Sequence, residues 1–550
     1  MLRACWSGSY GRGINTVMRT LGQYLIEALA ARGVRYVFGI PGVHNLELYR
    51  GLAQSSIRHV NARHEQGLGF MADGYARASG QPGVCFTITG PGLTNILTAM
   101  GQAYGDSIPL LVISSQNARG EGDRGCGFLH ELPHQREMAA RLAAAAFCIG
   151  EPMELPGALE RAFDIFAAGR PRPVYIEIPL DVLGMEAGDL PLPNPTARPE
   201  SPPPELIDSA VALLRAARRP VMIVGGGGVR AVPEIRRMAE LLDAPVVMTA
   251  NARGVLAPDH PLAVPMSPML APVRSLIAGS DAVLAVGSEF GPTDYSVAMK
   301  ADFPNPKPLI RIDIDPEQLT RGATPEVGLC GDARTTLLAL ESSRLGGSRS
   351  GEGAARAAAT RTAALGAIGA ISTSWRQHID LLNLIRDTLP AAMLVGDSTQ
   401  IVYGGNLGFS PRLSGSWFNS ATGYGTLGYA LPASTGAGLG APERPVVCLV
   451  GDGGLQFSLS ELAVLRDVNA WTAVVIWNNK GYGEIRASML AVGIEPAGVE
   501  VRPPDFSLIA RAYGCAHSSI TSSAALETAL RAFGARRQVA ILEIRVEEFG

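Results

Sequence analysis

Two short motifs in the last third of the chain have the make-up of a metal and phosphate site. The apolar run VVCLV (446–450) delivers Gly451-Asp452-Gly453-Gly454, and the apolar run AVVIW (473–477) delivers Asn478-Asn479-Lys480-Gly481. Continuous apolar runs of this length suit strands buried on both faces. SLSELAVLRDV between them has helical spacing, so the pair reads as one strand–helix–strand unit with both loops at the same sheet edge. The Asp452 carboxylate with amide and backbone oxygens around Asn479 is a hard-oxygen set. It suits Mg²⁺, which completes its octahedron with phosphate oxygens and water. Gly453 and Gly454 let backbone N–H groups approach a phosphate. Either motif alone also describes a tight turn; their pairing across one helix is what points to a ligand.

Two further features carry chemistry in the first third. Glu65, in IRHVNARHEQGLGFMADGYARASG, stands where a helix opens after a strand. A carboxylate there is favoured by the helix dipole whether or not it has a further role. The glycines of TGPG (89–92) allow the backbone to come close to a ligand.

These residues need elements to hold them, and the chain divides into three strand–helix blocks. Residues 18–185 alternate helix (TLGQYLIEALAARG) with strands YVFGIPG, VCFTITG and PLLVISS. Residues 206–344 contain PVMIVGGGG, APVVMT, DAVLAVG and PLIRIDID, and residues 373–550 contain AMLVGD, PVVCLVGDGG, AVVIWNNKG and VAILEIRV. Such alternation predicts three tandem parallel-sheet α/β domains. The proline-rich 186–205 reads as a stiff linker and the Gly/Ser/Ala/Arg-rich 345–372 as a low-complexity one. Residues 1–17 read as a mobile extension, with Met1 and Met18 both candidate initiators.

Composition narrows the function. A net charge of −3 over 550 residues, without a local basic stripe, excludes a nucleic-acid partner. No run of 18 apolar residues is present, which predicts no membrane span. The seven cysteines are scattered singly, neither metal pairs nor a disulfide framework, which points to the reducing cytoplasm.

The GDG…NN pair resembles the fingerprint of thiamine-diphosphate (ThDP) enzymes that act on 2-oxo acids, the superfamily of acetohydroxyacid synthases and 2-oxo acid decarboxylases. GLGFMADGYARASG, FTITGPGLTN and DSIPLLVISSQ extend the likeness through the first block. The resemblance implies a pyrimidine-binding, a central Rossmann-like and a diphosphate-binding domain. It also implies Asp452, the Asn479 side chain and the Gly481 carbonyl as Mg²⁺ ligands. Ser398 and Thr399 of GDSTQ, with Gly453 and Gly454, are then expected at the diphosphate, Leu427 beneath the bent cofactor, and the Gly425 carbonyl at its exocyclic amine. Glu65 is expected to hydrogen-bond the pyrimidine nitrogen and so promote loss of the thiazolium proton. Active sites between chains, in a homodimer or homotetramer, are implied too.

FGIPGVHNLELYRGL, LHELPHQ, SATGYGTLGYALP and WNNKGYGEIR are most similar to the 5-guanidino-2-oxopentanoate (2-ketoarginine) decarboxylases. That subgroup implies non-oxidative decarboxylation to 4-guanidinobutanal and CO₂ in arginine catabolism. Pyruvate decarboxylases have an aspartate where Val43 stands, adjacent histidines where this chain reads GFLHELPHQ, and a glutamate at the position of Ile485, one residue after Glu484. The proton-handling groups therefore differ here. His130 is the expected acid/base, because imidazole is the side chain that exchanges protons near neutral pH; Gln116 is expected as a polar wall and Glu484 as the partner of a guanidinium. VGGGGVR (224–230) is not GxGxxG with a matching acidic residue, so FAD is not expected in the central domain. Two other readings stand beside decarboxylation. One is carboligation of the acetolactate-synthase kind. The other is a catalytically silent thiamine-binding protein, against which the intact Glu65, Asp452 and Asn479 argue.

Overall fold

The computed structural model describes residues 19–194, 197–295, 307–343, 345–347 and 349–549; the extension expected at 1–17 lies outside them. Among the described residues are three six-stranded, wholly parallel sheets. The first comprises β1 (Tyr36–Gly39), β2 (Arg58–Asn61), β3 (Gly83–Thr87), β4 (Leu110–Gln116), β5 (Ala145–Cys148) and β6 (Val174–Pro179), in the order β2-β1-β3-β4-β6-β5. The second comprises β7 (Val221–Val224), β8 (Val246–Met248), β9 (Ala263–Val264), β10 (Val283–Val286), β11 (Leu309–Asp313) and β12 (Val327–Cys330), in the order β12-β11-β10-β7-β8-β9. The third comprises β13 (Met393–Gly396), β14 (Trp417–Asn419), β15 (Val446–Gly451), β16 (Thr472–Asn478), β17 (Ala516–Ile520) and β18 (Val539–Arg545). Its order, β14-β13-β15-β16-β18-β17, repeats that of the first sheet.

The repeat of topology matters for ligands. Open parallel sheets bind at the carboxyl ends of the strands, where the winding direction reverses. That point lies between β1 and β3 in the first sheet and between β13 and β15 in the third. The loops leaving those four strands carry His44, TGPG, Ser398–Thr399 and Asp452. The central sheet has Rossmann order, and its switch point falls between β7 and β10. There the Gly227 N–H donates to the Gly287 carbonyl at 3.0 Å, and a Cβ on Gly227 would lie 2.8 Å from Gly287 Cα. The loops leaving β7 and β10 thus touch through their glycines.

Alternation along β15 and β16 explains why both are continuous apolar runs. Val446, Cys448, Val450, Val474 and Ile476 face a core shared with the first domain. Val447, Leu449, Ala473 and Val475 face a second core on the other side of the sheet. In the shared core the Glu65–Ser79 helix crosses the Ala430–Gly440 helix with almost no spacing. A Cβ on Gly74 would sit 2.0 Å from the Ala433 carbonyl oxygen, and one on Gly436 1.8 Å from that of Met71. Glycine at both positions sets the distance between the first and third domains.

The segment 345–372, expected as a linker, contains a helix over Gly353–Ile371. Ala357, Ala364 and Ile368 recur at helical spacing and are fully buried against Val221 and Ile223 of the central sheet. Alanine is the strongest helix former, so the composition that resembles a flexible linker supports a packed helix.

Candidate active site

The third sheet assembles the metal-type group. Asp452 opens a one-turn helix directly after β15 and is fully buried. Its Oδ1 accepts from the Asn479 backbone N–H at 3.3 Å, and its Oδ2 is buried without a hydrogen-bond partner. Burial pushes the carboxyl up to about 6. The Asn479 side chain donates from Nδ2 to Gln400 Oε1 at 3.0 Å. Its other terminal atom lies 2.7 Å from the Gly481 carbonyl oxygen and 3.1 Å from Asp452 Oδ1. Turned one way, that atom is Nδ2 and donates to both oxygens; turned the other, with Nδ2 on Gln400, it is Oδ1 and three oxygens face one another. Such a cluster repels itself without a cation, and neighbouring ligands of a Mg²⁺ octahedron stand about 3 Å apart. The orphaned Asp452 oxygen and the oxygen triangle fit a small hard cation.

The neighbouring loops complete the cradle. Ser398 Oγ lies 3.0 Å from Ser420 Oγ. Thr399 precedes the Gln400–Gly408 helix, makes no side-chain cap, and faces Gly451, whose Cβ would lie 3.1 Å from Thr399 Oγ1. Leu427 is half-buried and sits 3.8 Å from the position of a Cβ on Gly454, over the loop that would take the diphosphate. Asp397, which the motif reading passed over, is fully buried. It accepts from the Gly428 and Tyr429 N–H groups at 2.9 and 3.3 Å, and burial pushes its carboxyl up to about 6. It thereby ties the loop after β13 to the segment bearing Gly425 and Leu427.

That segment is also clamped to the first domain. Gln102 Oε1 accepts from the Tyr424 N–H and from Thr426 Oγ1, both at 3.3 Å. Asp106 accepts from Thr422 Oγ1 at 3.1 Å and from Arg77 at 2.7 Å. These groups gave no sequence signal, because each partner lies more than 300 residues away or on another helix.

In the first domain, Glu65 is the opening residue of its helix, as expected, and is half-buried. Its Oε2 accepts from Asn95 Nδ2 at 3.0 Å, which sets the direction of the carboxylate. Asn95 lies on the Pro91–Gly105 helix that follows TGPG. Gly90 in that loop has φ +67°, and a Cβ there would meet the His130 carbonyl oxygen at 2.6 Å. The Gln135 side chain accepts from both Thr89 Oγ1 (2.9 Å) and the Gly90 N–H (3.0 Å). His130 therefore packs on the TGPG loop. Its ring lies 4.8 Å from that of His44, and each has a buried Nδ1 without a partner. Burial, reinforced by the neighbouring His130, lowers the pKa of His44. His44 was missed because the PGVHN turn drew attention to Val43.

Gln116 ends β4 and sits beside Cys148, in a cavity of about 340 Å³ also walled by Asn117, Arg119, Gln135 and Glu177. Gln135 links that cavity to TGPG. Glu484 stands in the first turn of the Gly483–Ala491 helix and is half-buried; Gln400 Nε2 donates to it at 3.4 Å. It is thus two hydrogen bonds from the metal-type group.

Comparison with known proteins agrees with this geometry. Three family models match: the N-terminal TPP-binding domain of thiamine pyrophosphate enzymes over residues 19–138, their central domain over 207–340, and their C-terminal TPP-binding domain over 398–544. The chain is 46% identical over 530 residues to a protein named probable 2-ketoarginine decarboxylase from Pseudomonas aeruginosa, covering 96% of this chain and 94% of that protein. It is 29% identical over 575 residues to acetolactate synthase of Arthrospira platensis (96% and 95% covered). It is 30% identical over 535 residues to the large subunit of acetolactate synthase isozyme 1 of Escherichia coli (96% and 93%). With family models matching all three domains and relatives at 30% identity or more along nearly the whole chain, the chain belongs to the thiamine pyrophosphate enzyme family and is a ThDP-dependent enzyme.

Proposed function

We propose that the enzyme decarboxylates 5-guanidino-2-oxopentanoate to 4-guanidinobutanal and CO₂, in the catabolism of arginine, with Mg²⁺ as the metal. The observation that carries this reading is the 46% identity, across nearly the full length of both chains, to the protein named probable 2-ketoarginine decarboxylase. When bound, ThDP supplies the carbon that adds to the 2-oxo group and accepts the electrons of the broken C–C bond.

The chain's own residues hold and orient. Asp452, Asn479 and the Gly481 carbonyl take Mg²⁺, while Ser398, Thr399, Gly453 and Gly454 receive the diphosphate. Leu427 would pack beneath the bound cofactor and the Gly425 carbonyl would accept from its amine. Glu65, aimed by Asn95, exchanges a proton with the pyrimidine nitrogen. His130, beside His44, delivers a proton on the substrate side, and Gln116 contributes to the polar wall behind it. Glu484 meets the guanidinium, for which a carboxylate is the best partner.

The site requires a second copy of the chain, as homodimer or homotetramer. This is supported by the exposed apolar side chains Tyr424, Phe457, Ile485, Leu490 and Val492 around the cofactor cradle. A cytoplasmic location is supported by six described cysteines that are all free. No helix among the described residues is long and apolar enough to cross a membrane.

The likeness to acetolactate synthases favours carboligation as a second reading. A panel of 2-oxo acids, with CO₂, aldehyde and coupled product measured together, separates the readings. Aldehyde from the guanidino acid in preference to pyruvate, benzoylformate and branched-chain acids supports the proposal. A coupled product from pyruvate refutes it, and absence of ThDP-dependent CO₂ release across the panel returns the chain to a silent binding protein.

A further inference from the structure

The metal-type group depends on which end of the Asn479 amide faces Asp452 and Gly481. One orientation offers an oxygen to a cation; the other offers an NH₂ that hydrogen-bonds both oxygens and fills the site with protons. The two orientations have nearly the same shape, so something outside the triangle must choose.

The geometry points to Gln400 as the positioning residue that makes this choice, itself set by Trp477 and Glu484. Trp477 has only an N–H to offer, and its Nε1 lies 3.4 Å from one terminal atom of Gln400. A carboxylate offers only acceptors, and Glu484 Oε2 lies 3.4 Å from the other. A donor on one side and an acceptor on the other leave Gln400 a single orientation, Oε1 toward Trp477 and Nε2 toward Glu484. The same Oε1 lies 3.0 Å from the Asn479 side chain. It can only accept, so Asn479 must present Nδ2 to it and Oδ1 to Asp452 and Gly481. Polarity thus passes from Trp477 and Glu484 through Gln400 to the metal ligand. Gly483 keeps the path open: a Cβ there would lie 2.4 Å from Asn479 Nδ2 and 3.4 Å from Gln400 Nε2. Residues that orient a ligand in this way affect metal affinity nearly as the ligands do.

The inference rests on the Mg²⁺ reading, and its test keeps the two apart. The readout is the Mg²⁺ concentration giving half-maximal ThDP binding to the full-length protein, followed by quenching of tryptophan fluorescence. If binding by the wild type is unaffected by Mg²⁺ or a chelator, the metal reading fails and the inference with it. If binding requires Mg²⁺, Gln400→Leu should raise the half-saturating concentration by roughly 10- to 100-fold.

The decisive comparison is the same change in an Asn479→Asp background. A carboxylate presents oxygen either way round and has no orientation to lose, so Gln400→Leu should then cost less than about a third of its effect in the wild type, as interacting sites do in such cycles. An equal penalty in both backgrounds, or no penalty in the first, overturns the positioning role. Should Gln400→Leu fail to fold, Gln400→Glu combined with Glu484→Gln keeps every donor opposite an acceptor. That pair should bind Mg²⁺ better than Gln400→Glu alone; no such rescue would overturn the inference.

Discussion

Glu461 offers a test of how the first and third domains are joined. It is 1% exposed, and its two carboxylate oxygens accept from the Arg63 backbone N–H at 3.1 and 3.2 Å, just ahead of Glu65. The Arg63 guanidinium does not neutralise it directly, since that group pairs with Asp467 at 2.6 Å. Burial outweighs the backbone hydrogen bonds from Arg63 and His64 and the charge of Arg63, pushing the Glu461 carboxyl from 4.5 up to about 7. A carboxylate with a raised folded pKa binds its proton more tightly in the folded state. Its contribution to stability is therefore neutral below 4.5, falls as pH rises from 4.5 to 7, and is fully unfavourable above 7. The displacement corresponds to about 3 kcal/mol at pH 8. Glu461→Gln removes that penalty and keeps one acceptor for Arg63, at the loss of about 1 kcal/mol for the altered hydrogen bonding. At pH 4.5 the variant should be about 1 kcal/mol less stable than the wild type, and at pH 8 the expected net gain is about 2 kcal/mol. For a cooperative unit the size of one domain, this is roughly 4–8 °C in Tm. Thermal melts of wild type and variant at matched scan rates from pH 4.5 to 8 measure it. A Tm difference that does not grow with pH, or a variant that is less stable at pH 8, would refute the reasoning by showing that the ionised carboxylate is favourable where it stands.

Other outcomes follow from the site. Glu65→Gln should bind ThDP nearly as well as the wild type but turn over on the order of 10²–10⁴-fold more slowly; near-normal turnover removes Glu65 from proton transfer. Asp452→Ala should lose Mg²⁺-dependent ThDP binding, seen as loss of the cofactor-induced rise in Tm, and an undiminished rise would contradict the ligation. Glu484→Gln should raise KM for the guanidino acid well above its effect on an uncharged 2-oxo acid of similar length, because lost uniform binding appears in KM. Equal effects on both substrates would make Glu484 structural or part of the Gln400 relay alone.

Local chemistry was legible in the sequence wherever neighbours along the chain carry it. The apolar runs that became β15 and β16, the loops they deliver, and the helix opening at Glu65 are all short-range patterns. Their period follows from strand and helix geometry. Edge strands such as β5, whose residues are at most partly buried, and the two-residue β9 lack such a pattern. The helix over Gly353–Ile371 was hidden because an alanine-rich packed face and a low-complexity linker share a composition. What only the tertiary structure decided is which distant groups meet. Asp397 finds the Gly428 and Tyr429 amides, Gln102 and Asp106 clamp a loop more than 300 residues on, and His44 lies beside His130. Gln400 receives Trp477, Asn479 and Glu484 from β16, the loop after it and the following helix, some 80 residues away. Hydrogen bonds of this kind depend on atoms brought within 3.5 Å by sheet order and helix crossing, and residue types along one chain carry no record of that distance. The sequence determined which groups were available for chemistry; the packing of two like sheets through a glycine-lined helix crossing decided their partners.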